Sequence, residues 1–328
     1  MSEAIILRDL EGLDERFNLF QIDDGYETFV GDWLDVDKEK FPNGLEPVVK
    51  KIKEKGFKAG IWLAPFAAES KSRIFNEHPE YFRRDEKGNP IPGGGNWSTF
   101  YCLDLENEEV WAYIEKSLKH YKDMGFDFFK LDFLYVASLP SYKGKTRAEM
   151  ADYAYKRLRK ILGKALILGC GSTLGQAASS FDYNRVGPDV SLEFNDVWYM
   201  KYMHRERVST KVTLQNTVYR SFMNRRLFGN DPDVFLLRDD NIKMSKKQRE
   251  SLITINSLFG QVLLTSDDLL EYDEEKKDLL AKSLNLFKNA KDQTFVRLGD
   301  YLVIKYTLEG KENKLIYDTK KGVFTHGR

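Results

Sequence analysis

Seven short runs rich in β-branched and aromatic residues recur along this chain: FNLFQIDD, FKAGIWLAPF, FDFFKLDFLY, ALILGCGS, YNRVGPDV, DVFLLRDD and GQVLLTSDD. Longer amphipathic segments of helical period separate them, among them GLEPVVKKIKEKG (Gly44 to Gly56), NEEVWAYIEKSLKHYKDMG (Asn107 to Gly125) and RAEMADYAYKRLRKILG (Arg147 to Gly163). Each of these three ends on a glycine suited to a helix C-cap. Strand and helix in alternation build a parallel sheet covered on both faces, because a parallel neighbour is reached only through a crossover. Seven strands exceed what most flavodoxin-like domains use, and polar residues gather at the C-terminal end of nearly every run. That is where a barrel of this kind assembles its active site. The expected fold class is therefore α/β, a (β/α)8 TIM-type barrel over residues 1–287. Beyond about Leu286 the pattern changes to short alternating segments, QTFVRLG, YLVIKYTLEG and NKLIYDTKKGVFTH, expected to form a small antiparallel β appendage over residues 288–328.

Composition limits the partners. Lys plus Arg and Asp plus Glu are both 51 in 328 residues, so no net field favours nucleic acid or an anionic membrane, and charge must act locally. The two cysteines, Cys102 and Cys170, make no CxxC pattern or disulfide framework. The N-terminal stretch MSEAIILRDLEGLDERF is broken by charges before a signal-peptide core can form, and no apolar run approaches the roughly 20 residues that span a bilayer. A cytoplasmic protein is expected.

In FDFFKLDFLY the side chains of a strand alternate, so Phe128, Lys130 and Asp132 share one face while Phe129, Leu131 and Phe133 share the other. The wholly apolar face belongs to the helices. Lys130 and Asp132 then point into the barrel mouth, either as a structural ion pair or as a working one. Asp23 and Asp24 stand at one further strand end, Arg185 and Asp189 at another, and Cys170 sits among small residues where something approaches closely. A metal hydrolase on this fold wants histidines, but His78, His120, His204 and His326 fall in helical or loop segments, so no metal is expected. A phosphate site wants a glycine-rich loop opening a helix; Gly93 to Gly95 are followed by NWSTFYCLD and are expected to be a flexible loop tip. No cofactor is expected either. Two carboxylates among aromatic walls are the constellation of glycoside hydrolysis. Trp33 and Trp97 lie in loops, where tryptophans form sugar-stacking platforms, and Asp104 or Asn107 is placed to cap the following helix.

The ordered motifs FQIDDGYE, GDW, GIWLAPF, NEHPE, KLDF, LGCG, RVGPD, NDPDVFLLR and LLTSDD resemble those of family 36 glycoside hydrolases, the microbial α-galactosidases, over roughly Phe17 to Leu286. The resemblance implies a retaining hydrolase of short α-galactosides of the melibiose or raffinose type. It implies Asp132 as nucleophile and Asp189 as acid/base. It also implies that Asp23 and Asp24, helped by Trp62, receive the galactose 4- and 6-hydroxyls, that Lys130 and Arg185 reach the 2-, 3- and 4-hydroxyls, and that Cys170 lies beside the 2-hydroxyl. Asp189 must carry a proton in that role, so its surroundings are expected to be less polar or more crowded with negative charge. The alternatives are an α-galactosyl transglycosidase, an α-N-acetylgalactosaminidase, and a catalytically inactive sugar-binding or partner-dependent subunit.

Two features depart from that family's pattern. Its members carry a β-sandwich and a first barrel strand before FQIDD, whereas AIILRDLEGLDERF has Ile6, Leu10, Leu13 and Phe17 at helical spacing. The expectation is a barrel without its first strand, self-associating or completed by a partner chain. The stretch VSLEFNDVWYMKYMHRERVST, after Asp189, shares little with the family and bears on the leaving-group side.

Overall fold

The structure, a computed structural model, describes residues 1–199 and 208–325. Among these, two compact units are separable: 1–184 in the first, and 185–199 with 208–325 in the second. His204 and His326, and residues 200–207 of the stretch after Asp189, lie outside the described residues.

The first unit opens with α1 (Glu3–Glu11), β1 (Leu19–Ile22), α2 (Glu46–Glu54) and β2 (Lys58–Leu63). The helix expected at the N-terminus is α1, with Ser2 accepting from the Ile5 N–H and with Ile6 and Leu10 buried; Leu13 and Phe17 fall beyond its end. Then come β3 (Ala67–Glu69), α3 (Arg73–Glu77), β4 (Pro92–Gly94), β5 (Phe100–Cys102), α4 (Glu108–Met124), β6 (Phe128–Leu131), α5 (Arg147–Leu162), β7 (Leu166–Gly169), α6 (Leu174–Ala177) and β8 (Tyr183–Arg185). Strands β1, β2, β6, β7 and β8 pair in parallel in that order, with Leu19 opposite Lys58, Trp62 opposite Lys130, Lys130 opposite Leu168, and Leu168 opposite Tyr183. Helices cover such a sheet because its strands are apolar on both sides: Phe128, Phe129 and Leu131 are all buried, each worth about 1.5–3 kcal/mol over exposure.

The helices are delimited by the residues the sequence marks. Asn107 accepts from the Glu109 N–H at the start of α4, and Gly125 closes it at φ 110°, a left-handed conformation that glycine adopts without steric cost. Thr146 and Glu149 form a capping box on α5. One expectation about the elements of this unit fails. Of Gly93 to Gly95, read as a flexible loop tip, Gly93 and Gly94 lie in strand β4, which with β3 and β5 makes a three-stranded antiparallel sheet in the order β3-β5-β4. The glycines are there for space: a Cβ on Gly93 would fall 2.2 Å from the Phe100 ring, and one on Gly94 would fall 2.7 Å from it.

The second unit holds α7 (Thr210–Tyr219), β9 (Gly229–Asp231), β10 (Val234–Phe235), α8 (Lys246–Phe259), β11 (Leu264–Thr265) and α9 (Glu274–Asn289). Strands β10 and β11 pair in parallel. After α9 the period changes as expected, and β12 (Lys291–Leu298), β13 (Tyr301–Leu308), β14 (Lys311–Asp318) and β15 (Val323–Thr325) form an antiparallel sheet in sequence order. Leu302, Ile304 and Tyr306 of β13 alternate to its buried face. All seven runs contain a strand, and the chain has the alternating α/β order of a TIM barrel followed by an antiparallel sheet. No helix among the described residues is long and apolar enough to cross a membrane.

Candidate functional site

In the first unit the sheet's parallel register brings three strand ends into one neighbourhood. Strand β1 stops at Ile22, which sets Asp23 and Asp24 in the turn that follows; Gly25, at φ 99°, lets the chain reverse there. The Asp24 N–H donates to Asp23 Oδ1 at 3.0 Å, and Lys130 Nζ donates to both oxygens of Asp23, at 3.2 and 2.9 Å. Lys130 is mostly buried, its side chain 13% exposed against 44% for Asp23, so this pair is screened less than a surface one.

Asp132 follows the last residue of β6. Its backbone N–H donates to the Leu63 carbonyl at 2.8 Å, extending the ladder by one rung and fixing its height on the sheet. The indole N–H of Trp62 donates to Asp132 Oδ2 at 3.1 Å, and the Phe133 N–H donates to Oδ1 at 2.7 Å. Phe133 pays for that second bond with a left-handed backbone, φ 52°, unusual for a bulky residue and of a kind that costs roughly 1–3 kcal/mol. Two N–H donors stabilise negative charge on Asp132 and fix its plane.

Trp62 is itself buried, and its ring meets Trp33 and Trp97 edge to face at centroid distances of 5.8 and 6.0 Å. Trp33 is buried too, so it packs rather than offering a platform. Trp97, at φ 50° and only partly buried, donates its indole N–H to Asp24 Oδ2 at 3.3 Å. Cys170 is buried beyond the end of β7, its N–H on the Leu131 carbonyl at 2.8 Å. The closeness expected in LGCG is seen at Gly169, where a Cβ would meet Phe181 at 2.5 Å and Asn184 Oδ1 at 2.6 Å.

The second unit carries the other cluster. Arg185 is 7% exposed and its guanidinium is shared by three carboxylates: Nε to Asp231 at 2.6 Å, one terminal nitrogen to Asp189 at 2.5 Å and the other to Asp233 at 2.8 Å. Asp231 is fully buried and Asp233 nearly so, whereas Asp189 is about half exposed. The loop bearing Asp189 is pinned by Asp233, which accepts from the Val190 N–H at 2.6 Å, and by Thr213, whose hydroxyl donates to the Pro188 carbonyl. One cation thus stands among three acids.

Lys130 with Asp23, Trp62 with Asp132 and Arg185 with Asp189 are thus in direct contact. Sequence reasoning gave no role to Asp231 and Asp233, although both stand in NDPDV, nor to Glu27, which closes FQIDDGYE. Glu27 is 4% exposed, and burial, with Asp24 beside it, pushes its carboxyl up to about 9. Burial likewise raises Glu69, whose Oε1 accepts from the Val30 N–H at 2.9 Å. Among the described residues no group of three or more His, Cys, Asp or Glu is arranged to hold a metal ion.

Comparison with known proteins agrees with this geometry. Residues 11–167 match the family model described as Melibiase. The A type blood alpha-D-galactosamine galactosaminidase of Flavonifractor plautii is 37% identical over 128 residues, 36% of this chain and 12% of that protein. Alpha-galactosidase 1 of Pediococcus pentosaceus is 35% identical over 99 residues, 28% of this chain and 13% of that protein. A solved alpha-galactosidase from Thermus thermophilus, in complex with p-nitrophenyl alpha-D-galactopyranoside, is similar at a TM-score of 0.81 and 30% identity, covering 95% of this chain and 63% of that one. This chain spans less than two thirds of the length of each of the three.

Proposed function

Because residues 11–167 match the Melibiase family model, we propose that this chain is a retaining glycoside hydrolase, of the family 36 type, that releases terminal α-linked galactose from short α-galactosides. The observation that carries this reading is the Asp132 carboxylate at the end of β6, oriented by the Trp62 indole and the Phe133 N–H. In this reading an Asp132 oxygen attacks the anomeric carbon and the bond to the leaving-group oxygen breaks as Asp189 gives that oxygen its proton. Water then attacks the glycosyl ester, Asp189 takes a proton from it, and Asp132 is released; two inversions leave the α configuration. Asp23, Asp24, Lys130 and Arg185 supply hydrogen bonds to the sugar hydroxyls, with Cys170 beside the 2-hydroxyl. The Lys130–Asp23 pair suits this, since donor and acceptor held together can each take half of a hydroxyl's bonding.

The test is hydrolysis of p-nitrophenyl α-D-galactopyranoside by the purified chain, with the anomer of the first-formed galactose read by proton NMR. Release of α-galactose is expected; β-galactose would end the retaining mechanism, and no release would end the activity. The 2-acetamido analogue of the same substrate, assayed in parallel, is expected to be the poorer one. A cytoplasmic location, a barrel domain over residues 1–287 and self-association or a completing partner chain belong to the same reading. Light scattering across a dilution series tests the association, which a fully active monomer at the lowest concentration would refute.

A further inference from the structure

Glu27 has no part in the chemistry just described, yet it is one of the most enclosed acids of the first unit. Its Oε2 accepts from the Gly25 N–H at 3.3 Å, which folds it back over the turn that carries Asp23 and Asp24. Its carboxyl lies within hydrogen-bonding reach of the Asp24 side chain. The backbone holds it in place: Glu27 bridges Val36, and Lys40 Nζ donates to the Gly25 carbonyl at 3.0 Å. The other titratable groups that face it are Tyr26, whose hydroxyl donates to the Trp62 carbonyl at 3.1 Å, and Tyr121 of α4, whose hydroxyl donates to the Trp33 carbonyl. Both are phenols held neutral by burial, and Lys40, the cation on this turn, is paired with Asp37 at 3.1 Å, so none of the three supplies the positive charge that two touching carboxylates would need. A carboxyl–carboxylate pair sharing one proton satisfies both acids without a cation.

We infer that Glu27 is a positioning residue for Asp24: as a carboxylic acid it donates a hydrogen bond to Asp24 and, together with the Trp97 indole, sets the orientation in which Asp24 meets a substrate hydroxyl. The inference rests on the reading of Asp24 as a sugar-hydroxyl acceptor. Glu27 is buried and Asp24 is not, so the proton stays on the acid that cannot be hydrated and the acceptor is left on the side open to ligand. Above the pH at which Glu27 ionises, the donor is lost, two like charges repel, and Asp24 swings away from the sugar.

Two measurements on the full chain test this. The first is the melting temperature of wild type and Glu27→Gln from pH 4.5 to 9.5. An acid whose folded pKa lies above its unfolded one keeps a proton in the native state that the unfolded chain releases, so native stability falls as pH rises between the two values. Glutamine cannot ionise, so the advantage of Glu27→Gln over wild type should grow with pH from about 4.5 to about 9 and then level off. A difference independent of pH means that Glu27 is ionised and overturns the inference, whether or not the chain is a galactosidase. The second is KM for p-nitrophenyl α-D-galactopyranoside. Wild type should show a rise in KM toward pH 9 as Glu27 ionises; Glu27→Gln, which keeps a donor, should hold KM within about threefold of wild type and lack that rise, and Glu27→Leu should raise KM about tenfold or more at every pH. If Glu27→Leu only lowers the melting temperature and leaves KM and its pH profile unchanged, Glu27 is structural and the positioning role is wrong.

Discussion

The two carboxylate clusters are built around different donors. In the first unit, Asp132 receives N–H donors from a neutral indole and the backbone, and the cation nearby, Lys130, is bonded to Asp23. In the second, Asp189 is bound to a buried guanidinium that Asp231 and Asp233 also hold. The indole and backbone donors fix the orientation of Asp132. Asp189, which shares an arginine with two deeper acids, sits where negative charge is crowded. The proposed division of the two aspartates into nucleophile and acid/base rests on that contrast.

The sharpest way to break the comparison is to remove Asp132. Asp132→Gly should lower kcat on an aryl α-galactoside by about 10³-fold or more with the fold intact, and added azide should restore turnover with inverted product. Full activity in that variant would take Asp132 out of the nucleophile role. Asp189→Ala should cost about 10²–10⁴-fold on substrates with poor leaving groups and far less on activated aryl galactosides, which need no proton. Equal losses on both would make Asp189 a structural residue and erase the difference between the clusters.

Asp231→Ala addresses stability rather than turnover. It strips a partner from a buried arginine, a change that costs about 3–5 kcal/mol, read from the urea midpoint at unchanged m. A loss below about 1 kcal/mol would show that Arg185 is as well served by its remaining partners. The smallest effect is expected for Trp62→Phe, which deletes one hydrogen bond to a charged group, worth about 1.5–3 kcal/mol, and so lowers kcat about 10- to 100-fold. If KM alone rises, Trp62 contacts the sugar, as the resemblance implied, and is not a support for Asp132.

Much of the scaffold was legible in the chain. The seven apolar runs, the caps at Asn107 and Gly125, the helix at Ile6 and Leu10 and the change of period after α9 are patterns among near neighbours, and they formed the elements expected. The failures were of another kind. Gly93 and Gly94 read as a loop because nothing beside them in sequence announces a strand; their requirement comes from the Phe100 ring lying against them. Trp33 read as a platform because loop position says nothing about what covers a loop. Asp231, Asp233 and Glu27 went without roles because a charged residue in a motif carries no mark of whether it will be buried.

Local periodicity and capping involve residues within about four positions of one another, so composition and spacing suffice to specify strands, helices and which strand ends would carry charge. The site is made of pairings between distant residues: Trp62 with Asp132 is 70 positions apart, Lys130 with Asp23 is 107, and Arg185 with Asp231 is 46. Strand register decides the first two, since a slip of one residue would turn Trp62 and Lys130 to the other face of the sheet. Burial decides which acid keeps a proton, because the same carboxyl group is charged in water and neutral where water is excluded. The sequence determined which residues were available for chemistry; only tertiary packing decided which of them hold one another, and in what protonation state.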